Sequence, residues 1–251
     1  MVILRILTNA VIMVAEAAAV VGIAAFAIRY PFIFAGVTAA ISLLFGMWLE
    51  VARLRYEYGF YFGSTVPRSA FLTAGVGFIE AAFKALLTGV ACLLTFSGTD
   101  SGRLFWVAVV FGACIYVGAS VLRLISIKAD GNTLRWGYFR LATVLGLLFS
   151  MGVTAASVLG LLPHVDASKL GWQILVETPE RPSVAQISEL LFQIKATFDQ
   201  FVLHGLSQVM SVDWARVVAI VISVNMLSGF VSALYAALIA TAVRKAEDTL
   251  L

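Results

Sequence analysis

The chain has 251 residues, of which 61% are hydrophobic and 12% charged, with a net charge of +3 and a mean hydropathy of +0.99. A water-soluble domain carries about 25% charged residues and about 45–50% apolar ones. A water-soluble fold is therefore excluded, and the small positive charge need not imply nucleic acid.

Apolar stretches recur near the ~20 residues a helix needs to cross ~30 Å of hydrocarbon. They lack the alternation of barrel strands, so an all-α integral membrane protein with about six transmembrane helices is expected. The expected spans are 4–28, 31–52, 70–96, 104–127, 140–162 and 215–243. All 251 residues form one polytopic domain in this reading, with 163–214 as an extracytoplasmic loop. The five prolines, Pro31, Pro67, Pro163, Pro179 and Pro182, fall at span ends or between spans, so no proline breaks a helix internally.

In the first span, Arg5 before an Ala-rich stretch resembles a secretory leader. The run is too long for a leader core and contains Glu16, so a retained span is expected. Very few residues around Arg29, Tyr30 and Pro31 separate it from the second, which predicts a tight antiparallel hairpin. Glu50, at the end of the second span and three residues before Arg53, is expected to reach out to the boundary and pair there. Glu80 and Lys84 fall near the middle of the third span, four residues apart on one face.

A charge at bilayer depth costs at least about 2.5–3.5 kcal/mol on insertion scales and needs a partner or a wet cavity. Glu16, Glu80 and Lys84 are therefore expected to form one intramembrane cluster. Two roles fit it: a proton or cation relay, or a neutralised polar latch between the first and third helices. The latch has the stronger sequence case, because no chain of ionisable groups leads away from the cluster.

Small residues on the first, third and fourth spans, among them Ala15, Ala18, Gly22, Gly75 and Gly112, suit close helix approach. Cys92 and Cys114 fall inside spans and are expected as buried thiols, not a metal site. In the loop, Trp172 to Val176 reads as extended. Beyond it, Ile187, Leu190, Leu191, Ile194, Phe198 and Phe201 mark an amphipathic helix. Ser183 and Gln186 open it in capping-box order. Residues 164–214 hold six acidic residues against three basic ones. Interfacial helices that bind anionic lipid are usually Lys- and Arg-rich, so this helix is expected to pack on helix ends or on another protein, with binding to the lipid surface as the alternative. The sixth span carries a polar stripe of Ser223, Asn225, Ser228 and Ser232, suited to interhelical hydrogen bonds.

Lys and Arg set the orientation. Arg5, Arg53, Arg55, Arg68, Arg123, Lys128, Arg135, Arg140, Arg244 and Lys245 fall on one side, and only Arg29 and Arg103 on the other short loops. Both termini are thus expected in the cytoplasm. The Ala- and Arg-rich composition suggests a bacterial inner membrane.

No P-loop, dinucleotide fingerprint, GxSxG or HExxH is present, and no nucleophile and base pair suggests an enzyme. No cofactor is expected, and partners are limited to lipid and other membrane proteins. The expectation is a non-catalytic subunit of a larger inner-membrane assembly, of secretion, transport or respiratory type. The alternative is a small proton- or ion-coupled transporter or channel using Glu16, Glu80 and Lys84.

Overall fold

A computed structural model describes residues 2–63, 70–162 and 183–250. Among these no strand occurs, and the elements in chain order are α1 (Val2–Arg29), α2 (Pro31–Phe62), α3 (Ala70–Phe96), α4 (Ser101–Ala129), α5 (Thr133–Trp136), a π-helical turn (Gly137–Leu141) and α6 (Ala142–Val158). They are followed by α7 (Val184–Ser207), α8 (Val212–Ile222), a 3-10 turn (Val224–Leu227) and α9 (Ser228–Leu250). Six segments are long and apolar enough to cross a membrane. They are α1 to α4, then α5 with its π turn and α6, then α8 with its 3-10 turn and α9. The chain is thus a multi-pass all-α membrane protein. Trp172 to Val176 and His164 lie outside the described residues.

Local chemistry sets the helix starts. Pro31 occupies the first turn of α2, where its missing N–H costs nothing. The Asp100 carboxylate caps α4, accepting from the backbone N–H of Gly102 at 2.9 Å and of Arg103 at 3.3 Å. Asn132 opens α5 by accepting from Arg135 N–H at 3.1 Å. Ser183 and Gln186 form the capping box of α7, with Gln186 N–H to Ser183 Oγ at 3.3 Å and Ser183 N–H to Gln186 Oε1 at 2.8 Å.

Two expectations about the early helices change. α1 and α2 touch around Phe26 and Phe34, whose ring centroids are 6.0 Å apart. The longer packing of α1 is nevertheless against α4, and that of α2 against α3, so the hairpin at Tyr30 is not the main pairing. α2 also runs ten residues past its expected end, to Phe62, which draws Glu50 inward.

The centre of the bundle is an aromatic hub. Phe34 of α2, Phe96 of α3, Phe111 of α4 and Phe149 of α6 are fully buried. Phe96 and Phe111 meet edge-on at 4.8 Å, Phe34 stacks on Tyr235 of α9 at 5.4 Å, and Thr38 hydrogen-bonds the Tyr235 hydroxyl at 2.7 Å. α9 reaches α6 through glycine. A Cβ on Gly229 would strike the Ala142 carbonyl and the Gly146 backbone, and one on Gly146 would strike the Met226 carbonyl. The backbones approach as closely as small residues permit.

Candidate functional site

The densest polar feature lies between α2 and α3. Glu50 is fully buried. One of its oxygens accepts a hydrogen bond from the Lys84 ammonium. The other lies 3.1 Å from Arg53 Nη1 yet receives no well-aligned hydrogen bond. Arg53 also binds Glu80 at 2.5 Å and Glu57 at 3.4 Å. Helical spacing places Glu50, Arg53 and Glu57 along one face of α2 and Glu80 with Lys84 along one face of α3. The two faces then pair across the interface, three carboxylates against the two cations Arg53 and Lys84.

The π turn supplies the lid over these charges. Tyr138 and Phe139 project from it, with Lys84 Nζ 4.7 Å from the Tyr138 ring centroid and 5.1 Å from that of Phe139. The Arg53 guanidinium lies 5.4 Å from the Phe139 ring. Cations over aromatic faces lose less on leaving water. The buried Tyr138 hydroxyl has no hydrogen-bond partner among the described residues.

Two open spaces meet this group. A cavity of about 700 Å³ is lined by Lys84, Leu87 and Thr88 of α3, the stretch around Ser223 and Met226, and Phe198 of α7. A polar pocket of about 800 Å³ is lined by Arg53, Glu57, Arg135, Trp136, Phe139 and Arg140. Lys84 touches the first, Arg53 and Glu57 touch the second, and Glu50 joins Lys84 to Arg53. A chain of ionisable groups thus runs from cavity to pocket.

The expected single cluster of Glu16, Glu80 and Lys84 is corrected. Glu80 and Lys84 share a face of α3, but each pairs across to α2 and not with the other. Glu16 belongs to a second group, 4.0 Å from Arg123 of α4. Arg123 also binds Glu247 of α9, and Arg244 links Glu247 to Asp248 at 4.0 and 3.3 Å. Glu50 does pair with Arg53, but as a buried residue and not by reaching out to the boundary. Packing of α2 on α3 hides one face of the helix end, which hydropathy alone does not reveal.

The sixth span is broken beside the cavity. α8 ends at Ile222, Ser223 is extended, with ψ at 144°, and the 3-10 turn follows. The groups freed by the break find partners. Asp199 of α7 accepts from Ser223 Oγ at 2.9 Å and from Val224 N–H at 3.0 Å. Ser150 of α6 donates to the Ile220 carbonyl at 2.8 Å, and Ser223 Oγ accepts from Asn225 N–H at 3.2 Å. Irregular backbone in a span is tolerated where protein or a cavity satisfies it. Of the polar stripe, Ser223, Asn225, Ser228 and Ser232 are all buried. Ser228 hydrogen-bonds Thr95 of α3, and Ser232 donates to the Ser228 carbonyl at 3.0 Å. The buried Asn225 Oδ1 has no partner among the described residues.

α7 docks on this bundle by its polar side. Ser188 and Lys195 are buried, while Ile194, Phe198 and Phe201 are exposed and Ile187 and Leu191 half-buried. The apolar residues expected to make the docking surface are therefore divided. The reason is local: Arg103, buried at the start of α4, donates to the Ser97 carbonyl and carries the Phe192 ring 3.8 Å from its guanidinium. Burial lowers the Lys195 ammonium to about 8; Asp199 opposes the shift and Arg103 reinforces it.

Cys92 and Cys114 are buried and unpaired, and no group of potential metal ligands occurs among the described residues. No family model, curated protein or solved structure matches this chain.

Proposed function

We propose that the protein is a small proton-coupled carrier of a bacterial inner membrane, with both termini in the cytoplasm. The observation that carries this reading is the unbroken series Lys84, Glu50, Arg53 and Glu57 between the cavity and the polar pocket. Glu50 is the exchange point. Protonating its carboxylate weakens its hold on Lys84 and frees that ammonium for an anionic or polar group in the cavity. Loss of the proton to the Glu57 carboxylate at the pocket, with Arg53 remaining a charged guanidinium throughout, restores the pair. The broken sixth span beside the cavity is a further support, since carriers bind cargo at interrupted helices. The largely apolar walls suit a small amphiphile as cargo.

The test is reconstitution into vesicles containing a pH-sensitive dye, with an imposed potassium diffusion potential. Proton entry above that of empty vesicles is expected, falling to the empty-vesicle rate in Glu50→Gln and persisting in Glu16→Gln. Wild-type entry equal to that of empty vesicles, or unchanged entry in Glu50→Gln, overturns the reading.

A second reading, a non-catalytic subunit of a larger assembly, is favoured by a separate feature. A groove of about 470 Å³ between α1 and α4 is walled by Ala17, Ala24, Ala25, Ala108, Gly112 and Ala113 among others. Such small side chains leave room for a neighbouring helix. Mild extraction followed by mass-resolved sizing separates the two: stoichiometric foreign subunits support assembly, and a homogeneous protein counts against it.

A further inference from the structure

The polar pocket contains two guanidinium groups that the charge series does not use. Arg135 and Arg140 are exposed, and neither makes an ion pair among the described residues. Both line the pocket with Arg53, Glu57, Trp136 and Phe139. Glu50, Glu57 and Glu80 outnumber Arg53 and Lys84 by one, so the two arginines more than offset that excess and leave the region with one net positive charge.

The backbone explains why they converge. Residues five apart on an α-helix are about 140° out of phase. The turn from Gly137 to Leu141 is π-helical, and its i to i+5 repeat turns such residues back toward one face. Arg140 is thereby brought to the side of Arg135. The Asn132 cap holds the Arg135 backbone in place, and Trp136, 47% exposed, lines the same pocket as an interfacial aromatic.

Guanidinium groups pair in bidentate fashion with phosphate as with carboxylate, and the interfacial Trp136 beside them places the pocket at headgroup level, where phosphate is the group the membrane presents. Basic pockets between membrane helices take phosphorylated headgroups. We propose that this pocket binds a phosphate-bearing anion, supplied by the headgroup of an anionic phospholipid. The pocket is also where the charge series ends, at Arg53 and Glu57, but Arg135 and Arg140 take no part in that series, so lipid retention and proton entry through Glu50 can fail separately.

The experiment uses the full chain in mild detergent, exchanged into phosphatidylglycerol or phosphatidylcholine, with native mass spectrometry reading the lipid retained. Wild-type protein is expected to keep phosphatidylglycerol in preference to phosphatidylcholine. The Arg135→Gln, Arg140→Gln double variant is expected to hold it about 30-fold more weakly, about a factor of five for each arginine at a membrane surface. The Arg55→Gln, Lys128→Gln double variant has the same net charge and alters exposed residues outside the pocket, and it should retain the lipid. Equal loss in both double variants means general surface charge and overturns the site, as does no loss in either. If inorganic phosphate at millimolar concentration displaces the lipid from wild type as readily as added phosphatidylglycerol does, the lipid source is overturned.

Discussion

The group between α2 and α3 and the group around Arg123 contain the same kinds of side chain, yet they are built differently. Glu50 is wholly enclosed, its neighbours reach a cavity on one side and a pocket on the other, and one of its oxygens lacks an aligned donor. Around Arg123, charge runs outward: Glu16 and Glu247 are buried, but Arg244 and Asp248 carry the series to 40% and 60% side-chain exposure. None of these residues lines either open space. A buried ion pair costs desolvation and is weak evidence of stability. What separates a latch from a candidate relay is therefore what lies at each end of the series.

The largest effect should come from breaking the enclosed pair. Glu50→Leu leaves Lys84 and Arg53 short of a partner and is expected to lower stability by about 3–5 kcal/mol, measured by thermal unfolding in detergent. Glu50→Leu with Lys84→Met should recover most of that loss while proton entry stays absent. Recovery of proton entry in the double variant would erase the distinction between the two groups.

Arg123→Met should cost less, about 2–3 kcal/mol, because the guanidinium it removes is already partly solvated, although Glu16 loses its partner and Glu247 keeps only Arg244 among the described residues, at 4.0 Å. Proton entry into vesicles should be unchanged. Glu16→Gln, removing a contact at 4.0 Å, is expected to cost under about 1 kcal/mol. If either variant abolished proton entry, the group around Arg123 would have to be counted as part of the path.

The contrast also bears on what could be read before folding. Hydropathy and proline placement located the spans because the cost of exposing polar groups to lipid is set residue by residue. The partners of Glu16 and Glu80 were not legible, since they come from α4 and α2 by packing. A signal for Glu50 was present: Glu50, Arg53 and Glu57 have the three- and four-residue spacing of a helix that continues past position 52. The break at Ser223 had no proline to announce it. It exists because Asp199, distant in sequence, satisfies the freed groups, and because Gly146 and Gly229 let α6 and α9 close together. The polar stripe was visible, but not that it marks an interruption.

Asp199 offers the next test. Asp199→Ala strips two hydrogen bonds from the break and should cost about 2 kcal/mol. Faster hydrogen exchange is expected across 220–228, with none at the group around Arg123. Exchange that rises equally at both places would mean that α7 supports the whole bundle and not the interruption.

The smallest effect concerns Lys195, a buried cation with no ion pair within 4 Å among the described residues. It titrates at about 8 in the folded chain against an ordinary value of 10.5. Between these values the unfolded chain holds a proton that the folded one has released, so stability gains with rising pH across that window. Below pH 8 both states are protonated and the handicap of burying the charge is constant. The expected observation is that the unfolding midpoint of Lys195→Met exceeds that of wild type at pH 7, and that the gap narrows as the pH rises from 8 to 10. A gap that stays constant would mean that Lys195 keeps its proton at the docking face, held there by Asp199, in which case α7 would carry an ionic contact comparable to those of the two groups inside the bundle.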